Sequence, residues 1–197
     1  MKKVLFLDRD GVINEVVKRY NKLKGKIIDD SPFNISELKF RKGIPELFSA
    51  ARRRGYKLVV VTNQPSILKG GFTMREYEEI TTEICNKLDL SRSDIFDCFH
   101  KEGYSLECLC RKPKGGLFLM AKGLFDINLN SSIMIGDSWK DMVAAKSVGV
   151  GKTIFLRRIK KKEELGNSED EQVMSKENIV PDFIVNDFNE IIKIINV

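Results

Sequence analysis

The segment VLFLDRDGVIN, residues 4–14, is the strongest indication of the fold in this sequence. Its first four residues are apolar without interruption, which is typical of a short strand buried on both faces of a sheet. Asp8 and Asp10 follow this strand directly, and Gly11 suits a tight turn behind them. Taken alone, the two aspartates are also compatible with an ordinary acidic turn. Because ligands of open parallel sheets bind beyond the carboxyl ends of the strands, their position favours a functional site.

Two further apolar runs end in polar residues in the same way. Leu58–Val61 leads into Thr62-Asn63-Gln64, and Ile133–Ile135 leads through Gly136 into Asp137. Three more runs are predicted strands: Ile95–Phe99, Thr153–Leu156 and Phe183–Val185. The topology of a parallel sheet would gather the polar residues at one edge.

Amphipathic segments lie between the predicted strands. One of them begins at a capping box from Thr73 to Glu76. Another is expected to bury apolar residues at helical spacing, namely Leu117, Met120, Ala121 and Leu124. This strand–helix alternation predicts an α/β protein, a Rossmann-like three-layer sandwich with a central, mostly parallel sheet.

Length and composition favour a single globular domain over residues 1–197. A hydrophobic content of 42% excludes a wholly disordered chain. No apolar run approaches the roughly 18–20 residues that cross a membrane, and Asp8 ends the amino-terminal run too early for a signal peptide. We therefore expect a cytoplasmic protein, without a membrane partner, whose thiols are reduced. The net charge of +6 suits a phosphorylated ligand, but from charge alone a lysine-rich surface is the better explanation.

Two segments interrupt the strand–helix pattern. Residues 12–42 lack helical periodicity, and we interpret them as a flap over one sheet edge whose basic residues suit a second phosphate on a ligand. Residues 157–180 are first basic and then acidic, which predicts a variable, solvated loop or a short helix. The acidic half argues against a nucleic-acid surface, so no nucleic-acid partner is expected.

The loop at residues 98–110 holds three of the four cysteines and the only histidine. In an extended chain, residues i and i+2 point to the same side, so Cys98 with His100 and Cys108 with Cys110 form two pincers. Four sulfur and nitrogen ligands match the tetrahedral coordination of a structural zinc ion, with no position left open. Chance clustering in the core is one alternative. A redox pair is another, but the spacing is not Cys-x-x-Cys.

Four motifs together resemble the haloacid dehalogenase phosphatases: FLDRDGVIN, VVVTNQ, CRKP and IGDSWKD, in this order. The pattern Cys-x-His followed by Cys-x-Cys-Arg-Lys-Pro is similar to the zinc-containing branch with a minimal cap. The resemblance implies a Mg²⁺-dependent phosphatase that works through an aspartyl-phosphate. A minimal cap is compatible with a monomer.

The resemblance also implies a role for each matching residue. Asp8 matches the nucleophile and a Mg²⁺ ligand, and Asp10 matches the general acid and base, its backbone carbonyl being the Mg²⁺ ligand. Asp137 matches the remaining Mg²⁺ ligand. Asp141 either supports the metal or, in a capping box with Ser138, only caps a helix. The other matches are Thr62 and Lys112, which stabilise the phosphoryl group; Arg111, which recognises substrate; and Asn14, Asn63 and Gln64, which lie near the substrate.

The substrate class follows from the same resemblance. The branch includes phosphatases of D-glycero-D-manno-heptose 1,7-bisphosphate and of histidinol phosphate. A small phosphorylated metabolite of carbohydrate metabolism is therefore expected, with the heptose bisphosphate first and histidinol phosphate second. A nucleic-acid 3′-phosphatase and a phosphate-binding regulatory protein without turnover are further alternatives.

Overall fold

Six parallel strands form the central sheet of the computed structural model, which describes residues 1–22, 25–101, 108–158 and 169–196. Numbered along the chain, the order across the sheet is β5-β4-β1-β6-β7-β8, and every neighbouring pair is parallel. The strand of the opening motif, β1, therefore lies inside the sheet. The bounds are β1 Val4–Leu7, β4 Lys57–Asn63, β5 Ile95–Cys98, β6 Ile133–Gly136, β7 Lys152–Leu156 and β8 Phe183–Val185.

Helices cover both faces of this sheet. They are α1 Ile44–Arg53, α2 Met74–Leu88, α3 Gly116–Phe125, α4 Trp139–Ser147, α5 Glu169–Lys176 and α6 Phe188–Asn196. Leu5 and Leu7 of β1 pack in the core beneath α1, α2 and α6, whereas Val4 and Phe6 pack beneath α3, α4 and α5. The predicted α/β sandwich with a parallel sheet is confirmed. None of the helices in the described ranges is long and apolar enough to cross a membrane.

Helix α3 buries a different face from the predicted one. Leu117 and Ala121 are buried as expected, but Phe118 is the third buried residue. Met120 and Leu124 are 55% and 59% exposed. The Phe118 ring packs 4.9 Å from that of Phe6, centroid to centroid. Because nearly every position of this helix is apolar, periodicity alone does not determine which side faces the sheet.

The predicted flap contains an antiparallel hairpin, formed by β2 Val17–Asn21 and β3 Lys26–Asp30. A short 3₁₀ helix, Ile35–Glu37, follows it. The Glu37 carboxylate accepts from the Phe33 backbone N–H at 2.8 Å and pairs with Arg19 of β2, which ties the hairpin to this turn.

Part of the segment 157–180 is helical, and residues 159–168 lie outside the described residues. Helix α5 packs on the core through the buried Met174. Asp170 accepts from the Ser138 hydroxyl at 2.8 Å and from the Trp139 backbone N–H at 3.0 Å, at the start of α4. The short-helix alternative is therefore the right one for residues 169–176, and this helix is docked on the protein.

Candidate active site

A cavity opens beyond the carboxyl ends of β1, β4 and β6, where the first turn of α4 also begins. The hairpin lines one side of it through residues such as Ile28 and Asp29. The predicted catalytic and metal-binding side chains meet here: Asp8, Asp10, Thr62, Lys112, Asp137 and Asp141. The parallel topology brings them together, since each of them comes from the end of a strand or from the loop or helix that follows one.

Lys112 is a buried cation that faces two carboxylates. Its Nζ lies 3.0 Å from Asp8 Oδ1 and 2.6 Å from Asp141 Oδ1, and it donates to the Val61 carbonyl at 2.8 Å. Burial opposes the charge, but Asp141 and Asp8 raise the pKa of Lys112 above its usual value. Burial also raises the pKa of Asp8 to about 6, with Lys112 acting in the opposite direction. Lys112 is therefore a charged group in direct contact with the Asp8 carboxylate.

Three carboxylates form a cluster that could hold a cation. Asp8, Asp137 and Asp141 each offer an oxygen, and these oxygens lie within 4.8 Å of one another. Burial raises the pKa of Asp137 to about 6, which shows how poorly this site tolerates uncompensated negative charge. An all-oxygen set of this kind suits Mg²⁺, which binds a few carboxylates and keeps several waters. The Asp10 carboxylate lies outside this cluster, and the ligand role of its backbone carbonyl stays a prediction.

Gly11 allows this cluster to form. Its φ of +90° lies in the left-handed region, and a Cβ at this position would stand 1.7 Å from Asp137 Oδ2. Any side chain would displace the Asp137 carboxylate or the turn after β1. Gly11 is therefore required because the Asp137 carboxylate, which follows β6, lies against the turn after β1.

Asp10 accepts hydrogen bonds from four side chains. The donors are Arg9 Nε and Nη2 at 3.2 and 3.1 Å, Asn14 Nδ2 at 2.9 Å, Gln64 Nε2 at 2.6 Å and the Ser31 hydroxyl at 3.1 Å. Burial acts against ionisation, but the Arg9 charge and the hydrogen bonds from Asn14, Gln64 and Arg9 lower the pKa of Asp10. Asp10 is therefore a carboxylate held in one orientation.

The residues expected near the substrate divide into two pairs. Asn63 and Arg111 line the cavity, whereas Asn14 and Gln64 are completely buried and contact Asp10. Asn63 also exchanges two hydrogen bonds with the Lys112 backbone, at 3.0 and 3.1 Å. Positioning of Asp10 and Lys112 is thus visible in the structure, and direct substrate contact stays a prediction.

The two predicted ligand pairs of the cysteine loop lie next to each other in the structure. Cys98 Sγ, His100 Nδ1, Cys108 Sγ and Cys110 Sγ lie 3.0 to 3.8 Å apart. Three sulfurs about 2.3 Å and one nitrogen about 2.1 Å from a tetrahedral zinc ion would lie about 3.5 to 3.8 Å from one another, near most of these distances. A disulfide would need sulfurs about 2.05 Å apart. All four cysteines of the chain are free thiols. The cluster therefore fits zinc, while residues 102–107 of this loop lie outside the described residues.

The cysteine cluster lies beside Lys112 in the chain. Arg111 Nη1 donates to the His100 carbonyl at 3.1 Å, and Lys114 Nζ donates to the Cys108 carbonyl at 2.7 Å. Because Cys110 precedes Arg111 and Lys112 in the chain, a metal at the cluster would hold the backbone of both basic residues.

Sequence reasoning missed two arginines of this site. Arg9 is completely buried and pairs with Asp10. Its position between two aspartates in the sequence could have indicated that it belongs to the site. Arg158 contacts Asp137 and Asp29 of the hairpin. No local pattern marks Arg158, which falls in the segment predicted to be solvated or to form a short helix.

Comparison with known proteins places these observations in a family. A model described as haloacid dehalogenase-like hydrolase matches residues 17–149, and a second model of HAD-like hydrolases matches residues 109–191. The chain is 34% identical over 196 residues to D-glycero-beta-D-manno-heptose-1,7-bisphosphate 7-phosphatase of Vibrio cholerae, covering 93% of this chain and 97% of that protein. It is 36% identical over 162 residues to D-glycero-alpha-D-manno-heptose-1,7-bisphosphate 7-phosphatase of Campylobacter jejuni, covering 81% and 85%.

A solved structure agrees at the level of the fold. The D,D-heptose 1,7-bisphosphate phosphatase of B. bronchiseptica, complexed with magnesium and phosphate, superposes with a TM-score of 0.74 at 20% identity. The match covers 98% of both chains. The parallel sheet, the four motifs at its carboxyl edge and the two sequence relatives lead to one conclusion. The chain belongs to the haloacid dehalogenase-like hydrolase family.

Proposed function

We propose that this protein is a Mg²⁺-dependent phosphatase that removes the 7-phosphate of D-glycero-D-manno-heptose 1,7-bisphosphate. One observation supports the reaction class above the others. The charged, buried Lys112 contacts Asp8 beside a cluster of carboxylates, at the edge of the sheet where ligands bind. The substrate rests on the two relatives described above, at 34% and 36% identity.

In the first half of the reaction, an Asp8 oxygen attacks phosphorus and the bond from phosphorus to the sugar oxygen breaks. Asp10 gives its proton to the leaving alkoxide. The pKa of Asp10 is lowered in the protein alone, but a phosphate dianion bound beside it disfavours a second negative charge and favours the protonated acid. The products of this step are the free sugar hydroxyl and a phosphorylated Asp8.

In the second half, water attacks the phosphorus of the aspartyl-phosphate while Asp10 takes one of its protons. The bond from phosphorus to the Asp8 oxygen breaks, which regenerates Asp8 and releases inorganic phosphate. The hydrogen bonds from Arg9, Asn14 and Gln64 favour the anionic form of Asp10, which this step requires.

The remaining side chains stabilise the phosphoryl group. Lys112 Nζ and Thr62 Oγ1 supply a charge and a hydrogen bond to its oxygens in both steps. Asp8, Asp137 and the Asp10 backbone carbonyl would hold Mg²⁺ with support from Asp141, and the bound ion would neutralise charge on the phosphoryl oxygens. The zinc ligands leave no position open, so their metal has a structural role.

Several cations around the cavity suit a substrate with a second phosphate. They come from four separate parts of the chain: Lys69, Arg111, Lys140 and Arg158. A substrate with one phosphate, such as histidinol phosphate, would use fewer of these charges.

The experiment that tests this function is a substrate panel. Phosphate release would be measured with Mg²⁺ for both anomers of the heptose bisphosphate, histidinol phosphate, a 3′-phosphorylated oligonucleotide and p-nitrophenyl phosphate. We expect kcat/KM for one heptose anomer to exceed the values for the other classes by about 100-fold.

The Asp8→Asn variant is the control, since it keeps the shape of the nucleophile but not its charge. Its single-turnover phosphate release should fall by several orders of magnitude. A preference for histidinol phosphate or the oligonucleotide would refute the proposed substrate. An absence of Mg²⁺-dependent release from every compound would favour the regulatory phosphate-binding protein instead.

A further inference from the structure

Arg158 connects the carboxylate cluster to the hairpin over the cavity. Its Nε donates to Asp137 Oδ2, and its Nη1 donates to Asp29 Oδ2 at the end of β3. The Arg158 and Asp29 side chains are 32% and 27% exposed, whereas that of Asp137 is 1% exposed. One guanidinium therefore bridges a buried carboxylate and a partly exposed one.

Arg158 and a bound cation would compete for the Asp137 carboxylate. The oxygen that accepts from Arg158 belongs to the carboxylate that would bind Mg²⁺. The guanidinium is also a positive charge beside the cluster, so it repels a divalent cation there. Both effects act in the same direction, and both lower the affinity for Mg²⁺.

Asp29 counteracts this competition. It draws part of the Arg158 charge toward the hairpin, and its second oxygen is held by Lys18 Nζ at 2.7 Å. A further ion pair, Lys26 Nζ to Glu169 Oε1 at 2.6 Å, fastens the same hairpin to α5. Lys18 thus orients Asp29 within the hairpin, and Lys26 links the hairpin to α5.

We propose that Arg158 is shared between Asp137 and Asp29 and competes with Mg²⁺ for Asp137, so that Asp29 of the hairpin sets how strong this competition is. The inference rests on the proposed function in one respect, the binding of Mg²⁺ by Asp137. It extends that function by making metal affinity depend on the position of the hairpin.

The test is a double-mutant cycle on Mg²⁺ affinity, measured by isothermal titration calorimetry on the zinc-loaded protein without substrate. Arg158→Gln should bind Mg²⁺ about tenfold more tightly, because a competing donor and a repelling charge are gone. Asp29→Asn should bind about threefold more weakly, because Arg158 then acts on Asp137 alone. In the Arg158→Gln background, the effect of Asp29→Asn should shrink to within about 1.5-fold.

Arg157→Gln is the matched control. It removes the same charge from the neighbouring residue, which pairs with Glu171 at 2.9 Å, and should change Mg²⁺ affinity by less than about twofold. Thermal unfolding would verify that each variant is folded.

The sign of the Arg158→Gln effect is decisive. If Arg158 only ordered Asp137, its removal would weaken Mg²⁺ binding, and that result would overturn the inference. An undiminished Asp29→Asn effect in the double variant would do the same. If the unchanged protein binds no Mg²⁺ at all, both the proposed Mg²⁺-dependent function and this inference fail. If it binds Mg²⁺ but the variants behave otherwise than expected, only the inference about Arg158 fails.

Discussion

Lys112 and the carboxylates around it show how single residues make a buried charged site tolerable. Ions removed from water are costly unless partners compensate for the lost hydration. Here Lys112 faces Asp8 and Asp141, and Arg158 faces Asp137. Burial still raises the pKa of Asp8 and of Asp137 to about 6, so the pairing is incomplete. A site of this kind is prepared for added positive charge.

The raised pKa of Asp8 predicts a pH-dependent cost to stability. The folded protein binds the Asp8 proton more tightly than the unfolded chain, whose value is near 3.8, so stability falls as pH rises from about 4 to about 6. Above that range, without added Mg²⁺, Asp8→Asn should raise the free energy of unfolding by about 1 to 3 kcal/mol. Urea unfolding at pH 4 and pH 7.5 measures this, with little difference expected at pH 4. A less stable variant at pH 7.5 would contradict it.

Gly11 gives a second prediction for a single residue. Gly11→Ala should weaken Mg²⁺ binding by at least about tenfold and destabilise the fold by about 1 to 3 kcal/mol, because its Cβ meets Asp137. Gly149→Ala is the control, since Gly149 has a φ of +81° and no atom within 4 Å of the added Cβ. It should show the backbone strain without the loss of Mg²⁺ binding. Equal Mg²⁺ affinities in the two variants would refute the steric argument.

At the scale of elements, one side chain can serve two structures at once. Asp141 Oδ2 accepts from the Ser138 backbone N–H at 3.1 Å and completes the capping box of α4. Its Oδ1 lies 2.6 Å from Lys112 Nζ. The two alternatives for Asp141, helix capping and support of the catalytic cluster, are therefore compatible. The start of α4 and the loop after the cysteine cluster are joined through this carboxylate.

The cysteine loop predicts a zinc-dependent position for Lys112. The purified protein should contain about one zinc per chain, since its four ligands form one tetrahedral set. Cys108→Ser should lose this zinc, keep most of the fold and lower activity by about 10- to 100-fold, because Lys112 moves when its anchor is lost. Elemental analysis and phosphate release at increasing Mg²⁺ concentration measure both effects, and added Mg²⁺ should not restore activity.

Cys85→Ser is the matched control for this variant. Cys85 is a free cysteine of α2, outside the cluster. Its substitution should leave both zinc content and activity near those of the unchanged protein. Full activity in a zinc-free Cys108→Ser protein would show that the metal does not position Lys112.

At the scale of the whole molecule, the positive charge around the cavity has a different origin from the predicted one. The sequence suggested that basic residues of the flap, residues 12–42, face a second phosphate. The basic residues of strands β2 and β3 pair with acidic partners: Lys18 with Asp29, Arg19 with Glu37 and Lys26 with Glu169. The cations that line the cavity with Lys112 come from other loops and from α4 instead. Recognition of a second phosphate is therefore expected to depend on residues such as Arg111.

Arg111 supplies the prediction at this scale. Arg111→Ala should lower kcat/KM for the heptose bisphosphate by about 100-fold and for p-nitrophenyl phosphate by less than about fivefold, since only the first has a remote phosphate. Arg75→Ala is the control, because Arg75 is exposed on α2 and pairs with Glu79 away from the cavity. Equal losses on the two substrates would place Arg111 at the reacting phosphoryl group.

Local sequence patterns were enough to predict the parallel sheet, the edge of the sheet that carries the site and the four-residue cysteine and histidine cluster. Uninterrupted apolar runs predicted the parallel strands, and Asp8 and Asp137 followed two of them. The Cys-x-His and Cys-x-Cys spacings predicted a four-ligand cluster, which the structure shows. These predictions were correct because the features are local. A hydrophobic period, the end of a strand or a spacing of two residues determines the local geometry directly.

Three features became visible only in the folded protein: the face that α3 buries, the contacts of Asn14 and Gln64 with Asp10, and the contacts of Arg158 with Asp137 and Asp29. Arg158 and Asp29 are 129 positions apart in the chain, and no local pattern connects them. Their contact depends on where β7 leaves the sheet and how the hairpin folds over the cavity. Such contacts follow from the packing of whole elements, because a buried charge is compensated by the side chains that lie near it in the folded protein, whatever their distance along the chain.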